Sequence, residues 1–202
     1  MLKNLVLDIG NVICEWNAQK LVASVFDDKS EHTQAIADTI GHEDWLNLDR
    51  GTLTKADAIS RAQQRSDLNP DSIAQIYENL PASLTPFQSS VDAMYELAEQ
   101  GVPIYILSNM HEHSWQYLHR TFPFWETCKG VVVSCDTGLV KPESEIYDHV
   151  CERFSLNPAE CVFVDDMPEN VEAAIACGWQ SVQLTDPNEG GNLFRSIVAG
   201  FG

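Results

Sequence analysis

Three acidic residues and one lysine follow short apolar segments of this sequence, and their types suit the chemistry of phosphate esters. Asp8 ends one such segment, Asp165 and Asp166 end another, and Lys141 follows a third after a short loop. Carboxylates that lie together repel one another unless a proton or a cation neutralises them. Their hard oxygen atoms favour Mg²⁺ over zinc or copper, and Mg²⁺ commonly binds carboxylates together with the phosphate oxygens of a substrate. The sequence therefore predicts a Mg²⁺ site for a small phosphorylated metabolite.

Further polar residues lie beside this set in the sequence. Ser108 and Asn109 end another apolar segment and suit the binding of phosphate oxygens, and Lys141 suits their neutralisation. A carboxylate such as Asp8 can also act as the nucleophile and form an aspartyl-phosphate. His111 and His113 follow closely, but their spacing does not place them on one helix face, so we expect them at the outer rim at most.

Apolar segments alternating with helical patterns predict an α/β fold with a doubly wound, Rossmann-like parallel sheet. The predicted strands are residues 4–8, 103–107, 130–134 and 161–165, with a weaker fifth at 181–184. Helical patterns lie at residues 88–100, 143–154 and 168–177. Ligands of such sheets bind beyond the carboxyl ends of the strands, which is where the polar residues above are expected.

The stretch from about residue 15 to residue 84 interrupts this alternation. It contains helical patterns at residues 18–26, 31–40, 55–65 and 71–79 and no convincing strand pattern. We therefore predict two parts: an α/β hydrolase core of residues 1–14 and 85–202, and an inserted helical cap of residues 15–84.

The net charge and the composition indicate which partners and which cellular compartment to expect. The net charge of −18 repels nucleic acid and anionic membrane surfaces, so neither is an expected partner. The same charge opposes a phosphorylated substrate, which must therefore meet local positive charge. The apolar segments are too short to span a bilayer, and no signal-peptide pattern is present. The six cysteines form no C-x-x-C pair and indicate reduced thiols, which together with these features predicts a cytoplasmic protein.

Four motifs, taken in order, resemble those of the haloacid dehalogenase-like hydrolase superfamily. They are Asp8-Ile9-Gly10-Asn11-Val12, Ser108-Asn109, Lys141-Pro142 and Asp165-Asp166. The residues of these motifs are most similar to those of a bacterial subgroup that includes a glucose-1-phosphate phosphatase. The resemblance implies a Mg²⁺-dependent phosphatase that acts on a small metabolite, most readily a sugar phosphate, through an aspartyl-phosphate.

The resemblance also implies a role for each matching residue. Asp8 would be the nucleophile and a metal ligand, and Lys141 would neutralise charge during catalysis. The carbonyl of Gly10 and the side chain of Asp166 would bind the metal, with Asp165 as an alternative or outer ligand. The phosphoryl group would be held by Ser108 and the amide of Asn109, and a metal-bound water would be oriented by Asn170.

One position departs from the phosphatase pattern, because Gly10 stands where most phosphatases of this superfamily carry an acid–base aspartate. Loss of a positioned acid costs about 10²–10⁴-fold in rate, so we expect slow hydrolysis of unactivated esters unless Glu15 or a cap residue substitutes. Dehalogenases of the superfamily also lack that aspartate, so a metal-independent 2-haloacid dehalogenase is an alternative function. A non-catalytic binding protein on the same scaffold is another. The Asp165-Asp166 pair favours the phosphatase, since the dehalogenases use no metal.

In the predicted cap, the Asp49-Arg50-Gly51 segment has the composition of a tight loop. The matching loop of relatives contacts the substrate, so the resemblance implies that Arg50 binds a sugar hydroxyl or a second phosphate. A plain surface turn is the alternative interpretation. Trp16, His42 and Trp45 are candidates for the cap side of the pocket, although packing in a core is the commoner fate of such residues.

Overall fold

The computed structural model describes residues 2–201 and has a parallel five-stranded sheet at its centre. The strands are β1 Asn4–Leu7, β2 Ile104–Ser108, β3 Gly130–Val133, β4 Cys161–Asp165 and β5 Gln180–Gln183, in the spatial order β3-β2-β1-β4-β5. The predicted α/β fold with a parallel sheet is confirmed, and each predicted strand lies within one residue of an observed one at both ends.

Helices connect every pair of consecutive strands. Between β1 and β2 lie α1 Ala18–Ala23, α2 His32–Asp38, α3 Glu43–Asp49, α4 Lys55–Arg65, α5 Pro70–Ser83 and α6 Gln88–Glu99. The later helices are α7 Glu112–Thr121, α8 Ser134–Thr137, α9 Ser144–Phe154, α10 Pro168–Ala176 and α11 Gly190–Ala199. Among residues 2–201, none of the helices combines the length and the apolar character that crossing a bilayer requires.

The alternation of side chains along the strands gives the sheet two buried faces. Leu5 and Leu7 of β1 belong to one apolar cluster, which α6 and α11 cover, while Val6 between them belongs to a second cluster covered by α9 and α10. Burial on both faces explains why β1 to β4 are nearly continuous apolar segments, as is usual in parallel sheets, whereas the edge strand β5 is polar and more exposed. In β1 to β4, polar residues are thereby confined to the strand ends.

Helices α1 to α5 pack around an apolar cluster of their own, which includes Leu21, Ala58, Ile73 and Tyr77. No strand lies in this stretch of the described chain. The division into a core of residues 1–14 and 85–202 and a cap of residues 15–84 stays a prediction.

Four helices, α3, α7, α8 and α11, lie where the sequence patterns predict none, and two of them show why. Helix α3 has only seven residues, and the His42 ring begins it by accepting a hydrogen bond from the Asp44 amide. Helix α11 begins with Gly190 and Gly191, which are poor helix formers. These glycines let α11 approach α6 closely, because a Cβ at Gly191 would collide with the backbone of Ser89. Tertiary packing therefore stabilises a helix that local propensity disfavours.

The last residue of α3 and the loop after it, residues 49–51, contact the strand-end side of the sheet. The Ser134 hydroxyl donates a hydrogen bond of 2.5 Å to the Asp49 carbonyl and accepts one of 2.9 Å from the Met110 amide. Gly51 has a φ of 78°, and a Cβ there would lie 2.6 Å from the Cys135 carbonyl oxygen. Only glycine therefore fits this contact without a shift of the backbone.

We expect Gly51→Ala to destabilise the protein more than Gly138→Ala does. Both glycines have a positive φ, so each alanine costs about 1–2 kcal/mol of backbone strain, but a Cβ at Gly138 would meet no atom within 4 Å. The collision at Gly51 adds about 1–3 kcal/mol, as overpacking does elsewhere. Urea unfolding of both variants measures the difference, and equal losses of unfolding free energy would contradict the close contact.

Candidate active site

The pairing of β1 with β4 brings the acidic residues together. Leu7 is the register partner of Val164, and the Asp8 amide donates a 3.0 Å hydrogen bond to the Val164 carbonyl, so Asp8 leaves β1 beside the end of β4. Asp8, Asp165 and Asp166 each offer a carboxylate oxygen within 4.8 Å of the others. The predicted convergence of residues separated by more than 150 positions is therefore observed.

Lys141 lies between two of these carboxylates. Its Nζ atom is 2.8 Å from Asp8 Oδ1 and 2.6 Å from Asp165 Oδ2, and it donates a further bond of 3.2 Å to the Leu107 carbonyl. The Lys141 residue is only 3% exposed. A buried ammonium is tolerated only with charged partners and hydrogen bonds, so the two carboxylates stabilise it as much as it neutralises them.

The side chain of Asn109 holds the backbone of Lys141. Its Oδ1 accepts a 2.8 Å bond from the Lys141 amide, and its Nδ2 donates a 2.9 Å bond to the Lys141 carbonyl. The polar end of β2 thus fixes the loop that follows β3. Ser108, the last residue of β2, is buried beside it.

Asp165 and Asp166 have different surroundings. Asp165 is fully buried, and besides Lys141 its oxygens accept bonds from the Asn170 side chain, at 3.0 and 3.1 Å, and from the Met167 amide, at 2.8 Å. Asp166 is partly exposed and accepts a 3.0 Å bond from Asn11 Nδ2. Asp166 therefore has more free oxygen lone pairs for a ligand than Asp165 has.

Asn11 is a site residue that the sequence analysis did not single out. Its φ of 51° places it in the left-handed region, where asparagine is tolerated better than most residues. Its Oδ1 accepts a 3.0 Å bond from the Trp16 amide while its Nδ2 holds Asp166. Its position in the Asp-x-Gly-Asn-Val motif is the feature of the sequence from which a place in the site could have been predicted.

Burial dominates the electrostatics of the carboxylates. It raises the pKa of Asp8 to about 7, with Lys141 acting in the opposite direction and Asp165 adding to the rise. Burial also raises the pKa of Asp166, against the hydrogen bond from Asn11. Three carboxylates share one ammonium here, so full ionisation leaves an excess of negative charge that a divalent cation would balance. The hard oxygen donors suit Mg²⁺.

A cavity of about 310 Å³ opens above these residues. One end is polar and is lined by Asp8, Gly10, Asn109, Lys141, Asp166 and Asn170. Seven apolar side chains line most of the remainder: Trp16, Ile40, Trp45, Leu80, Leu84, Met110 and Met167. A polar cluster of Asp49, His111 and Ser114 completes the lining.

His111 lies inside the site and not at its outer rim, so that expectation was wrong. The residue is 4% exposed, its Nδ1 is 3.2 Å from Asp49 Oδ1, and its Nε2 is 3.0 Å from the Ser114 hydroxyl. The spacing argument assumed that His111 lies on a helix, whereas it precedes α7 with an extended backbone. His113 lies on α7 and does not line this cavity.

Arg50 is not brought to the cavity. Its guanidinium forms a two-point ion pair with Glu143, at 2.6 and 2.8 Å, and donates a 3.1 Å bond to the Gly138 carbonyl. The docking of residues 49–51 on the sheet side directs it there, so its predicted role as a substrate ligand lacks support from the geometry.

Trp16 and Trp45 do line the cavity and stack with ring centroids 5.8 Å apart, whereas His42 caps α3. Glu15 pairs with Lys20 at 2.6 Å and is not part of the lining.

Comparisons with known proteins identify relatives along nearly the whole chain. A hydrolase family model, described as haloacid dehalogenase-like hydrolase, matches residues 2–178. A sesquiterpene phosphatase of Aspergillus oryzae is 28% identical over 184 residues, which cover 91% of this chain and 90% of that protein. A D-ribitol-5-phosphate phosphatase of Bacteroides thetaiotaomicron is 26% identical over 195 residues, which cover 91% and 92% of the two proteins.

Solved structures share the fold at lower identity. A haloacid dehalogenase family enzyme of Bacteroides thetaiotaomicron has a TM-score of 0.76 at 21% identity and covers 96% of this chain and 98% of its own. That enzyme was also solved in complex with magnesium and inorganic phosphate, with a TM-score of 0.71 at 20% identity over 91% of this chain and 94% of that one.

We expect Mg²⁺ to stabilise the protein more at pH 8 than at pH 5.5. Because the pKa of Asp8 is raised in the folded state, its contribution to stability is complete below pH 3.8 and is lost as the pH rises through about 7. A metal binds the ionised carboxylate and offsets that loss. Mg²⁺ at about 100 times its Kd should raise Tm by roughly 5–10 °C at pH 8.

Thermal unfolding in EDTA and in MgCl₂ at both pH values measures this effect. Asp166→Asn should reduce the Mg²⁺-dependent gain, whereas Asp67→Asn, a change at an exposed acid outside the site, should keep it. A gain of the same size at both pH values would refute the coupling to Asp8.

Proposed function

The chain belongs to the haloacid dehalogenase-like hydrolase family, and on this premise we propose that it is a Mg²⁺-dependent phosphatase of a small phosphorylated metabolite. The observation that carries the proposal is the buried contact of Asp8 with Lys141 beside two further carboxylates, at the polar end of a cavity. This arrangement combines a nucleophile, a fixed positive charge and cation ligands within reach of one phosphoryl group.

Asp8 is the proposed nucleophile. Lys141 lies next to its Oδ1, which orients the carboxylate and leaves Oδ2 to attack phosphorus. The new Asp8–phosphorus bond forms as the bond to the ester oxygen breaks, and the released alkoxide takes a proton from water. A second water then attacks the phosphorus of the aspartyl-phosphate, which frees inorganic phosphate and restores the Asp8 carboxylate.

The phosphoryl group would be held by groups that the strand ends already place. The Asn109 side chain is engaged by the Lys141 backbone, so its backbone amide is the group proposed to bind phosphate, together with the Ser108 hydroxyl. The Lys141 ammonium, fixed between Asp8 and Asp165, supplies the local positive charge that the net charge of −18 makes necessary.

Asp8, Asp166 and the carbonyl of Gly10 are the proposed Mg²⁺ ligands, with Asp165 as an outer residue. The saturation of the Asp165 oxygens by Lys141, Asn170 and the Met167 amide supports this order. When bound, Mg²⁺ supplies positive charge that screens the approach of an anionic phosphate to a carboxylate. The magnesium and phosphate complex of the Bacteroides enzyme, a protein of the same fold, is consistent with this assignment.

Helices α1 to α5 are proposed to act as a cap that excludes bulk water from the reacting group. Trp16, Ile40 and Trp45 from this part of the chain line the cavity opposite the strand ends, which supports that role. The free cysteines support the proposed location in the reducing cytoplasm.

The names of the two phosphatase relatives indicate different kinds of alcohol in the substrate. The name of the D-ribitol-5-phosphate phosphatase supports the sugar phosphate predicted from the motifs, whereas the name of the sesquiterpene phosphatase indicates an apolar alcohol. A sugar phosphate therefore stays a prediction at this point.

Gly10 favours a second candidate function, a metal-independent 2-haloacid dehalogenase that uses Asp8 as the nucleophile. The glycine leaves the position two residues after Asp8 without an acid, and a halide needs no proton to leave. EDTA separates the two functions, since dehalogenation should continue without a divalent cation and release halide.

We expect Asp8→Asn to lower the Mg²⁺-dependent hydrolysis of p-nitrophenyl phosphate by at least about 10³-fold, because the variant lacks the nucleophile. Initial rates with and without EDTA measure the effect, and circular dichroism checks that the variant is folded. Asp67→Asn, which keeps the nucleophile, serves as the matched control. Undiminished hydrolysis by the Asp8 variant would refute the mechanism, and a wild-type protein that binds Mg²⁺ but turns over no ester would support the non-catalytic alternative.

A further inference from the structure

The part of the cavity beyond the phosphoryl end is built mainly from apolar side chains. Trp16 and Trp45 stack at 5.8 Å between ring centroids, and Trp45 also meets the Tyr77 ring at 5.6 Å, so the aromatic wall is fixed by packing. Leu80 and Leu84 add aliphatic surface at the end of α5. A substrate whose phosphate lies at Asp8 would place its alcohol part against this surface.

The polar groups in this part of the cavity are already bonded to one another. His111 bridges Asp49 and Ser114 through its two ring nitrogens, at 3.2 and 3.0 Å. A polyhydroxylated alcohol would need donors and acceptors for several hydroxyl groups, and a buried hydroxyl without a partner weakens binding substantially. Arg50, the polar residue predicted to contact a sugar, is held instead by Glu143.

We propose that the substrate is the phosphate monoester of an uncharged apolar alcohol rather than of a sugar. This inference rests on the proposed phosphatase function and specifies the alcohol that leaves. The cavity of about 310 Å³ is at the lower end of the range for small-molecule sites, so the alcohol is of modest size. Selectivity then comes from burial of hydrocarbon against Trp16, Trp45 and Leu84, and not from hydrogen bonds to the leaving group.

A homologous series of n-alkyl phosphates from ethyl to hexyl tests the proposal. We expect kcat/KM to rise by about two- to fourfold per methylene until the cavity is filled, as hydrocarbon burial requires. Hexyl phosphate and glucose 6-phosphate have the same number of carbons, and we expect the alkyl ester to have the higher kcat/KM. A flat dependence on chain length, or a higher kcat/KM for the sugar phosphate, would overturn the proposal.

A matched pair of variants locates the selectivity. Ile40→Asn introduces an amide into the lining and should reduce the dependence on chain length, whereas Ile175→Asn makes the same change at a 54% exposed position on α10 and should leave it unchanged. Tm values identify any general loss of stability. An Ile40 variant that is folded and keeps the full chain-length dependence would count against the assigned cavity.

Quenching of tryptophan fluorescence gives a second measurement that needs no turnover, because Trp16 and Trp45 line the cavity. Folded Asp8→Asn protein should bind hexyl phosphate more tightly than glucose 6-phosphate in the presence of Mg²⁺, and the reverse order would overturn the proposal. Asp8-dependent hydrolysis of p-nitrophenyl phosphate together with a preference for sugar phosphates would refute the apolar alcohol while leaving the phosphatase intact. If the wild-type protein hydrolyses none of the tested esters in an Asp8-dependent way, both the phosphatase function and the apolar alcohol are refuted.

Discussion

A lysine ammonium buried between two carboxylates is the interaction on which the site depends. Lys141 reaches Asp8 and Asp165 only because β1 and β4 are neighbours in register and because Asn109, at the end of β2, holds the Lys141 backbone. Removal of the Lys141 ammonium would leave Asp8 and Asp165 buried without a compensating charge. The cluster, with Asp166 included, carries more negative than positive charge, and this imbalance makes a divalent cation a natural partner.

The contact with Lys141 also gives the two adjacent acids of the last motif, Asp165 and Asp166, different surroundings. Asp165 is enclosed by Lys141, Asn170 and a backbone amide and thus acts as a support for the lysine, whereas Asp166 faces the cavity. Asp165 is the last residue of β4 and Asp166 follows it, and their side chains point in different directions, so one can stabilise the fold while the other is free to bind a ligand. The resemblance predicted Asp166 as the metal ligand ahead of Asp165, and the hydrogen bonds that occupy Asp165 are consistent with that prediction.

The fold and the polar end of the site could be predicted from the sequence because both follow from local patterns. Apolar strands that end in Ser108 and Asp165, or that Asp8 follows directly, leave few other arrangements in a parallel sheet. The rest depends on contacts between distant segments, which spacing along the chain does not encode. The buried His111 ring contacts Asp49, which lies 62 residues earlier. Helix α11 depends on packing against α6, and the apolar character of the cavity depends on which side chains of α1 to α5 face the strand ends.

The Ser134 hydroxyl joins the two walls of the cavity, since it binds the Asp49 carbonyl on one side and the Met110 amide on the other. The segment of residues 49–51 and the segment that carries Asn109 are therefore connected through the hydrogen bonds of this hydroxyl. A grafted loop whose backbone follows a different path would move the carbonyl of residue 49 away from this hydroxyl and would disturb the segment that carries Asn109. Engineering of new selectivity by loop grafting must therefore keep the backbone position of residue 49 and the glycine at position 51.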